Sequence, residues 1–228
     1  MSRYGLEKMK TIGDSYMFVS GMPERRPSHP VDAVLAALEM VEAVRTMARP
    51  EEGINWQMRV GLHTGPVIAG VVGIHKFAFD VWGDSVNFSS RMESSGAANR
   101  VNLSERTHSR VKDFIRCTPR GRVLTKDGRE VDMFFVDGVY DKLMDTGVEG
   151  IPSAFARRYK IYFQQPVRAF PAFLLPPEFC RAAQSASKLR RLFRQGRIRR
   201  RFSRQDSHGP AIFPTIASLQ KQWLRRAP

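Results

Sequence analysis

Short segments with strand character alternate with segments of helical periodicity along most of this chain, and this alternation limits the fold more than any other feature. Residues 7–20 carry β-branched and aromatic side chains on both sides of Gly13 and Asp14, a pattern typical of a β-hairpin. Residues 31–45 then place apolar side chains at helical spacing, which predicts a helix ending near Met47. Interleaved hairpins and helices indicate an α+β layer sandwich, in which helices pack against a mixed sheet.

The alternation continues as far as residue 163. Further single strands are predicted at 56–63, 67–72, 78–82 and 101–103, and a hairpin is predicted to pair 122–125 with 132–136. Further helices are predicted from a cap at Asp84 or Ser85 to Gly96, over 104–113, and over 152–163. The prolines between 166 and 177 predict a segment without regular structure.

Basic charge is concentrated toward the C-terminal end. The net charge is +15, and residues 180–228 contribute +12 of it, so the rest of the chain is nearly neutral. Leu189, Leu192 and Phe193 fit a helical stripe among arginines, which makes residues 188–204 a candidate contact for an anionic membrane or RNA. The alternative is a solvated run of charge. We expect the alternative, and therefore a basic tail over 180–228 without ordered structure.

Composition excludes several classes of protein. No apolar run approaches the roughly 18 residues that a membrane-spanning helix needs, and residues 1–30 lack the pattern of a secretory signal. The two cysteines, Cys117 and Cys180, lie far apart and form no CxxC motif, which argues against a disulfide framework or a cysteine zinc site. We therefore expect a cytoplasmic protein.

Three motifs occur in a fixed order. They are Glu-Lys-Met-Lys-Thr-Ile-Gly-Asp at 7–14, Met-Arg-Val-Gly-Leu-His-Thr-Gly at 58–65, and Phe-Asp-Val-Trp-Gly-Asp-Ser-Val-Asn-Phe-Ser-Ser-Arg-Met-Glu at 79–93. Together they resemble the catalytic domain of the class III adenylate and guanylate cyclases, over about residues 4–138. The resemblance implies a ferredoxin-like nucleotide cyclase sandwich and an intracellular signalling enzyme that converts ATP to 3′,5′-cyclic AMP and pyrophosphate.

The resemblance also implies partners and metal ions. In this family two catalytic domains pair head to tail, so a second cyclase domain, in a homodimer or a heterodimer, is an expected partner. Metal-binding aspartates come from one domain and the purine-reading and transition-state residues from the other. Asp14 matches the second metal-binding aspartate, and a carboxylate suits Mg²⁺ or Mn²⁺. Taken alone, Gly13 and Asp14 form an ordinary turn dipeptide.

Lys10 and Asp80 match the pair that selects the purine. Adenine accepts a hydrogen bond at N1 and donates one from its amino group, so a lysine and an aspartate complement it. Guanine presents the opposite arrangement, which favours ATP over GTP as the substrate. Without the resemblance, these residues would be read as an exposed strand lysine and a carboxylate at a strand end.

Asn87 and Arg91 match the transition-state pair, and their spacing of four places them on one face of the predicted helix. By the resemblance, Asn87 orients the ribose and Arg91 neutralises charge that develops around the α-phosphate. Arg59 and Lys126 match contacts to the triphosphate. An isolated i, i+4 polar pair is more usually a solvated helix face.

The family domain normally begins about forty residues earlier, with a strand that carries the first metal-binding aspartate and with two helices. We therefore expect a domain at 1–140 that lacks this central strand and these helices, an extension at 141–179, and the tail at 180–228. A chain with one of the two aspartates should have little or no turnover alone. The alternatives are a purine-reading half of a heterodimer with a complete cyclase domain, and a non-catalytic nucleotide-binding or regulatory module.

Overall fold

The chain begins with the predicted hairpin, in which β1 (Leu6–Ile12) and β2 (Ser15–Ser20) pair antiparallel around Gly13 and Asp14. Gly13 adopts a φ of 60°, which a residue without a Cβ tolerates in a tight turn. The computed structural model describes residues 2–48, 51, 55–125, 128–145, 150–175 and 215–224.

Helix α1 (His29–Met47) covers one face of the main sheet. Its Val31, Val34 and Leu35 are fully buried because the apolar stripe of the helix packs onto the sheet. The neighbouring strand β3 (Asn55–Thr64) alternates between the two faces, and its Val60 and Leu62 join the core beneath α1. We call this side of the sheet the α1 face.

The opposite side carries α2 (Asp84–Ser94), and we call it the α2 face. Before α2, the chain forms β4 (Ile68–Val72) and β5 (Ala78–Trp82), which pair antiparallel in a separate two-stranded sheet. Met17 and Val19 of β2 lie on the α2 face, where they pack with Val81 of β5 in a second, smaller apolar cluster. The two sheets therefore meet at this cluster.

The second half of the domain extends the main sheet. Strand β6 (Val101–Ser104) pairs parallel with β3, helix α3 (Glu105–Val111) follows, and β7 (Ile115–Leu124) and β8 (Glu130–Val139) form the predicted hairpin. The hairpin is longer than predicted, because both strands continue past the apolar segments that signalled them. The architecture confirms the α+β sandwich with helices packed against a mixed sheet.

The centre of the sheet contains a strand that the sequence analysis did not predict. Strand β9 (Thr215–Leu224) lies between β2 and β3 and is antiparallel to both, so the strand order is β1-β2-β9-β3-β6-β8-β7. The expectation of no ordered structure throughout 180–228 is therefore wrong for 215–224. The strand was missed because the charge of the whole tail outweighed ten residues that contain no Gly or Pro. The basic stretch 188–204 lies outside the described residues.

The extension packs onto the domain instead of leaving it. Helix α4 (Ser153–Phe163) confirms the predicted helix, and its Phe155, Tyr159 and Phe163 surround Phe114 in an aromatic cluster. Tyr159 also donates a hydrogen bond of 2.6 Å to the buried carboxylate of Asp32 in α1. The core is therefore continuous across the predicted boundary at residue 140. In the parts of the chain that are described, no helix is both long and apolar enough to cross a membrane.

Shortening Phe155 tests whether the extension folds together with the domain. Phe155→Ala removes a fully buried ring and should lower the free energy of unfolding by about 3–5 kcal/mol in one cooperative urea transition. Ile161→Ala on the same helix is the control, because Ile161 is 69% exposed and its loss should cost less than about 0.5 kcal/mol. A separate low-stability transition for α4, with the main transition unchanged, would contradict a shared core.

Candidate active site

Lys10 and Asp80, which are 70 residues apart in the sequence, meet where β1 approaches β5. The Lys10 ammonium donates to Asp80 Oδ2 at 2.6 Å, and the Val81 backbone amide donates to Oδ1 at 2.9 Å. Burial alone would raise the pKa of Asp80, but these two hydrogen bonds and the lysine charge outweigh it and hold the pKa below its ordinary value. Both side chains are partly exposed, so the pair is accessible to a ligand.

A β-bulge in β1 brings Lys10 to this position. Lys8 pairs with Phe18 and Lys10 with Met17, so Met9 is an extra residue that has no partner in β2. Lys8 therefore shares the α1 face with Phe18, whereas Lys10 shares the α2 face with Met17. In a regular strand, residues two apart lie on the same face, and Lys10 would then point away from Asp80.

Helix α2 carries Asn87 and Arg91, and alternate residues of β3 hold it against the sheet. Gly61 allows the closest approach, since a methyl group there would overlap the backbone of Glu93. The other contacts are an ion pair of 2.9 Å between Arg59 Nε and Glu93 Oε1, a ring contact of 4.7 Å between the centroids of His63 and Phe88, and close packing of Gly65 on Ser85. Residues 59, 61 and 63 of β3, together with Gly65 just after the strand, thus contact α2.

Buried polar groups support the same contact. His63 Nδ1 lies 2.8 Å from the Ser104 hydroxyl, at the end of β6. Burial, together with the charges of Arg106 and Arg110, lowers the pKa of His63 to about 4. His63 is therefore neutral near pH 7, which suits a ring packed against Phe88.

The structure places the remaining predicted site residues as follows. Asn87 is exposed and Arg91 partly exposed, one turn apart on α2, and the Arg91 guanidinium lies 5.6 Å from the Phe88 ring centroid. Asp14 is exposed at the tip of the first hairpin. Arg59, predicted to contact a triphosphate, is engaged by Glu93. Lys126 lies outside the described residues.

The metal site expected around Asp14 can be tested against the acidic side chains present. Within the described ranges, no three His, Cys, Asp or Glu side chains come together in a way that could hold a metal ion. Asp14 is the metal ligand that the sequence analysis assigned among these residues, and its binding of Mg²⁺ or Mn²⁺ stays a prediction.

Sequence reasoning did not identify Glu93, Ser85 or the bulge at Met9 as parts of this arrangement. The spacing of Gly61 and Gly65 could have indicated the contact with α2. Two glycines four residues apart, in a strand and just after it, indicate that another backbone approaches closely. No comparable signal identifies the bulge, which depends on the register with β2.

Several known proteins are similar to this chain, among them a curated relative and two solved structures. An adenylate cyclase of Mycobacterium tuberculosis is 43% identical over 126 residues, which cover 55% of this chain and 28% of that protein. The chain thus spans less than a third of that relative's length. The guanylate cyclase domain of RhGC from Catenaria anguillulae, solved with GTP, has a TM-score of 0.57 at 34% identity, over 61% of this chain and 76% of that chain. The catalytic core of a rhodopsin-guanylyl cyclase with converted specificity, solved with ATPαS, has a TM-score of 0.55 at 36% identity, over 60% and 74%.

Adding one methyl group at Gly61 tests the contact between β3 and α2. Gly61→Ala places that methyl group into the backbone of α2 and should lower the free energy of unfolding by about 1–3 kcal/mol or more. Gly70→Ala is the matched control, since its added carbon would make only an ordinary contact of 3.7 Å with Trp82. Urea denaturation measures both, and equal stabilities of the two variants would show that α2 does not depend on the glycine.

A family model supplies the assignment. The model of the adenylate and guanylate cyclase catalytic domain matches residues 1–138, which is more than half of the chain. The match contains β1 to β8, the Lys10–Asp80 pair and the helix with Asn87 and Arg91. The chain therefore belongs to the family of class III adenylate and guanylate cyclase catalytic domains.

Proposed function

We propose that this domain binds ATP and takes part in its conversion to 3′,5′-cyclic AMP and pyrophosphate, in intracellular signalling. The observation that carries the proposal is the Lys10–Asp80 pair on the α2 face. In the reaction the ribose 3′-oxygen loses its proton and attacks the α-phosphate, and the bond from that phosphate to pyrophosphate breaks. We assign selection of the base to the Lys10–Asp80 pair and stabilisation of the transition state to helix α2.

Base selection follows from the polarity of the pair. The ammonium of Lys10 can donate to adenine N1, and the carboxylate of Asp80 can accept from the adenine amino group. With guanine, the lysine would face an N–H donor and the aspartate a carbonyl oxygen, so each contact would be repulsive. The low pKa of Asp80 keeps its carboxylate charged at neutral pH, so that it remains an acceptor.

Transition-state stabilisation is assigned to α2. Asn87 is a neutral group able to hydrogen-bond a ribose oxygen, and Arg91 is a permanent cation with several donors in a fixed plane. A guanidinium lowers the barrier most when it does not have to move as charge develops on the phosphate. The contacts of β3 with α2 provide this rigidity, because they fix the helix along its length.

The partner is a second cyclase domain, and the two-stranded sheet is the surface we assign to it. This sheet and the loop between its strands expose several large apolar side chains, which monomeric surfaces rarely group together. They are Ile68, Val71, Val72, Ile74, Phe77, Phe79 and Trp82, exposed by between 39% and 87%. We assign this chain the purine-reading half of such a pair, because it carries the Lys10–Asp80 pair and the helix with Asn87 and Arg91.

Metal ions enter this proposal only through the partner. Mg²⁺ or Mn²⁺, when bound, supplies a Lewis acid for the phosphates and the attacking oxygen. Asp14 of this chain would face the other site of the pair, because the metal-binding and the purine-reading residues of one site come from different domains. We derive no step through a metal held by this chain alone.

Exchanging the charges of the purine pair tests the proposed base selection. The double variant Lys10→Glu with Asp80→Lys keeps an ion pair but reverses donor and acceptor, so it should bind GTP more tightly than ATP, whereas the parent chain prefers ATP. Each single variant places like charges together and should bind both nucleotides weakly. Fluorescent ATP and GTP analogues, titrated with EDTA present, measure the affinities. An unchanged ATP preference in the double variant would refute the assignment.

Complementation tests the proposed catalytic role. Mixing this chain with a complete cyclase domain whose own Asn and Arg pair has been replaced should restore formation of cyclic AMP, and Arg91→Gln in this chain should abolish the gain. Ile74→Glu should also abolish it, by placing a charge in the proposed interface. Ile161→Glu is the matched control, because Ile161 is equally apolar and 69% exposed but lies on α4. If no mixture is active while ATP still binds, the chain is a non-catalytic nucleotide-binding module.

A further inference from the structure

Side chains from two further strands of the main sheet hold the C-terminal end of α2. The last carbonyl groups of a helix have no partner within the helix, so groups from elsewhere must bond them. Asn102 Nδ2, on β6, donates to the Met92 carbonyl oxygen at 2.8 Å. Arg120 Nη1, on β7, donates to the Ser95 carbonyl oxygen at 2.7 Å. We call Asn102 and Arg120 the α2 clamp.

The two residues of the α2 clamp also bond each other. Arg120 Nη1 lies 3.3 Å from Asn102 Oδ1, to which it donates. Asn102 is fully buried, and both the oxygen and the nitrogen of its side-chain amide have hydrogen-bond partners. A buried amide is fixed by such bonds, because losing one of them costs the full desolvation of the unpaired atom. The α2 clamp is therefore a single hydrogen-bonded unit.

The α2 clamp continues the contact between the helix and the sheet beyond β3. Asn102 pairs with Gly61, the residue at which α2 approaches most closely. On its other side Asn102 pairs with Phe135 of β8. The guanidinium carbon of Arg120 lies 4.3 Å from the centroid of the Phe135 ring, which is within the range of a cation–π contact. Neighbouring strands thus support the helix from its middle to its end.

The turn of α2 that the clamp holds is the turn that carries Arg91. The Ser95 backbone amide donates to the Arg91 carbonyl oxygen at 3.0 Å, and the Ser95 carbonyl oxygen accepts from Arg120. Two successive hydrogen bonds therefore connect Arg120 to the backbone of Arg91. The positive charge of Arg120 also interacts favourably with the negative end of the helix dipole.

We propose that the α2 clamp positions Arg91 for the transition state, and that Arg120 is a positioning residue that acts through the helix. This inference rests on the proposed function, because the role of Arg91 is assigned there. A displacement of about 1 Å in a reacting group can lower a rate by about a hundredfold. The purine pair lies on β1 and β5, which contain neither clamp residue. The expected signature is therefore a lower rate without a lower affinity for ATP.

Hydrogen exchange without nucleotide, measured by mass spectrometry, tests the clamp itself. Arg120→Met keeps a long side chain against Phe135 but removes the donors, so the amides of residues 91–96 should exchange about fivefold faster. Arg122→Met is the matched control, because Arg122 lies on the same strand with its side chain 73% exposed, and exchange at 91–96 should stay at the parent rate. Unchanged exchange in Arg120→Met would overturn the inference.

The complementation mixture tests the effect on Arg91. At saturating ATP, Arg120→Met should lower the rate of cyclic AMP formation by about tenfold, whereas the affinity for the fluorescent ATP analogue should stay at the parent value. Arg120→Lys retains a cation that can donate to the Ser95 carbonyl oxygen, and it should recover much of the lost rate. An unchanged rate in Arg120→Met, or an equal loss of ATP affinity, would contradict the positioning role.

A double variant separates positioning from general destabilisation. In an Arg91→Lys background, Arg120→Met should cause little further loss of rate, because the guanidinium that it positions is already absent. Equal losses in the two backgrounds would show that Arg120 acts independently of Arg91 and would overturn the inference. Failure of the proposed function has a different outcome: the mixture with the parent chain is inactive, and exchange at 91–96 still decides whether the clamp holds the helix.

Discussion

The close approach of α2 to β3 is the contact on which the rest of the site depends. Gly61 permits it, because any side chain at this position would meet the backbone of the helix. Two further contacts flank Gly61 once the backbones are in contact. Arg59 forms an ion pair with Glu93 on one side of the glycine, and His63 packs on Phe88 on the other side. A helix fixed in this way presents Asn87 and Arg91 in a constant position, which the transition-state role that we propose for them requires.

A second constraint acts through the first hairpin. The extra residue at Met9 changes the face on which the following residues lie, so Lys10 reaches Asp80 while Lys8 remains on the α1 face beside Tyr16. Met9 itself packs against the cluster of Met17, Val19 and Val81. The same irregularity therefore joins the two sheets and forms the pair to which we assign purine selection.

Much of the fold could be predicted from the sequence because most elements have a local signal. The turn at Gly13 and Asp14, the apolar stripe of α1 and the aromatic spacing of α4 each depend on neighbouring residues, and the structure confirms all three. The contact of Lys10 with Asp80 could be expected only through the resemblance to cyclases, since nothing local links residues 70 apart. The bulge at Met9 and the ion pair of Glu93 escaped prediction because they depend on register and on tertiary packing.

The unpredicted strand shows how little local sequence signal a central strand requires. A central strand needs backbone groups that pair on both sides, apolar residues toward the core and a small residue beneath the helix, and many sequences satisfy these conditions. Residues 215–224 meet the first of these conditions, because β9 pairs with β2 on one side and with β3 on the other. Both partners of β9 lie far from it in the sequence, so a strand in this position leaves little signal in its own residues.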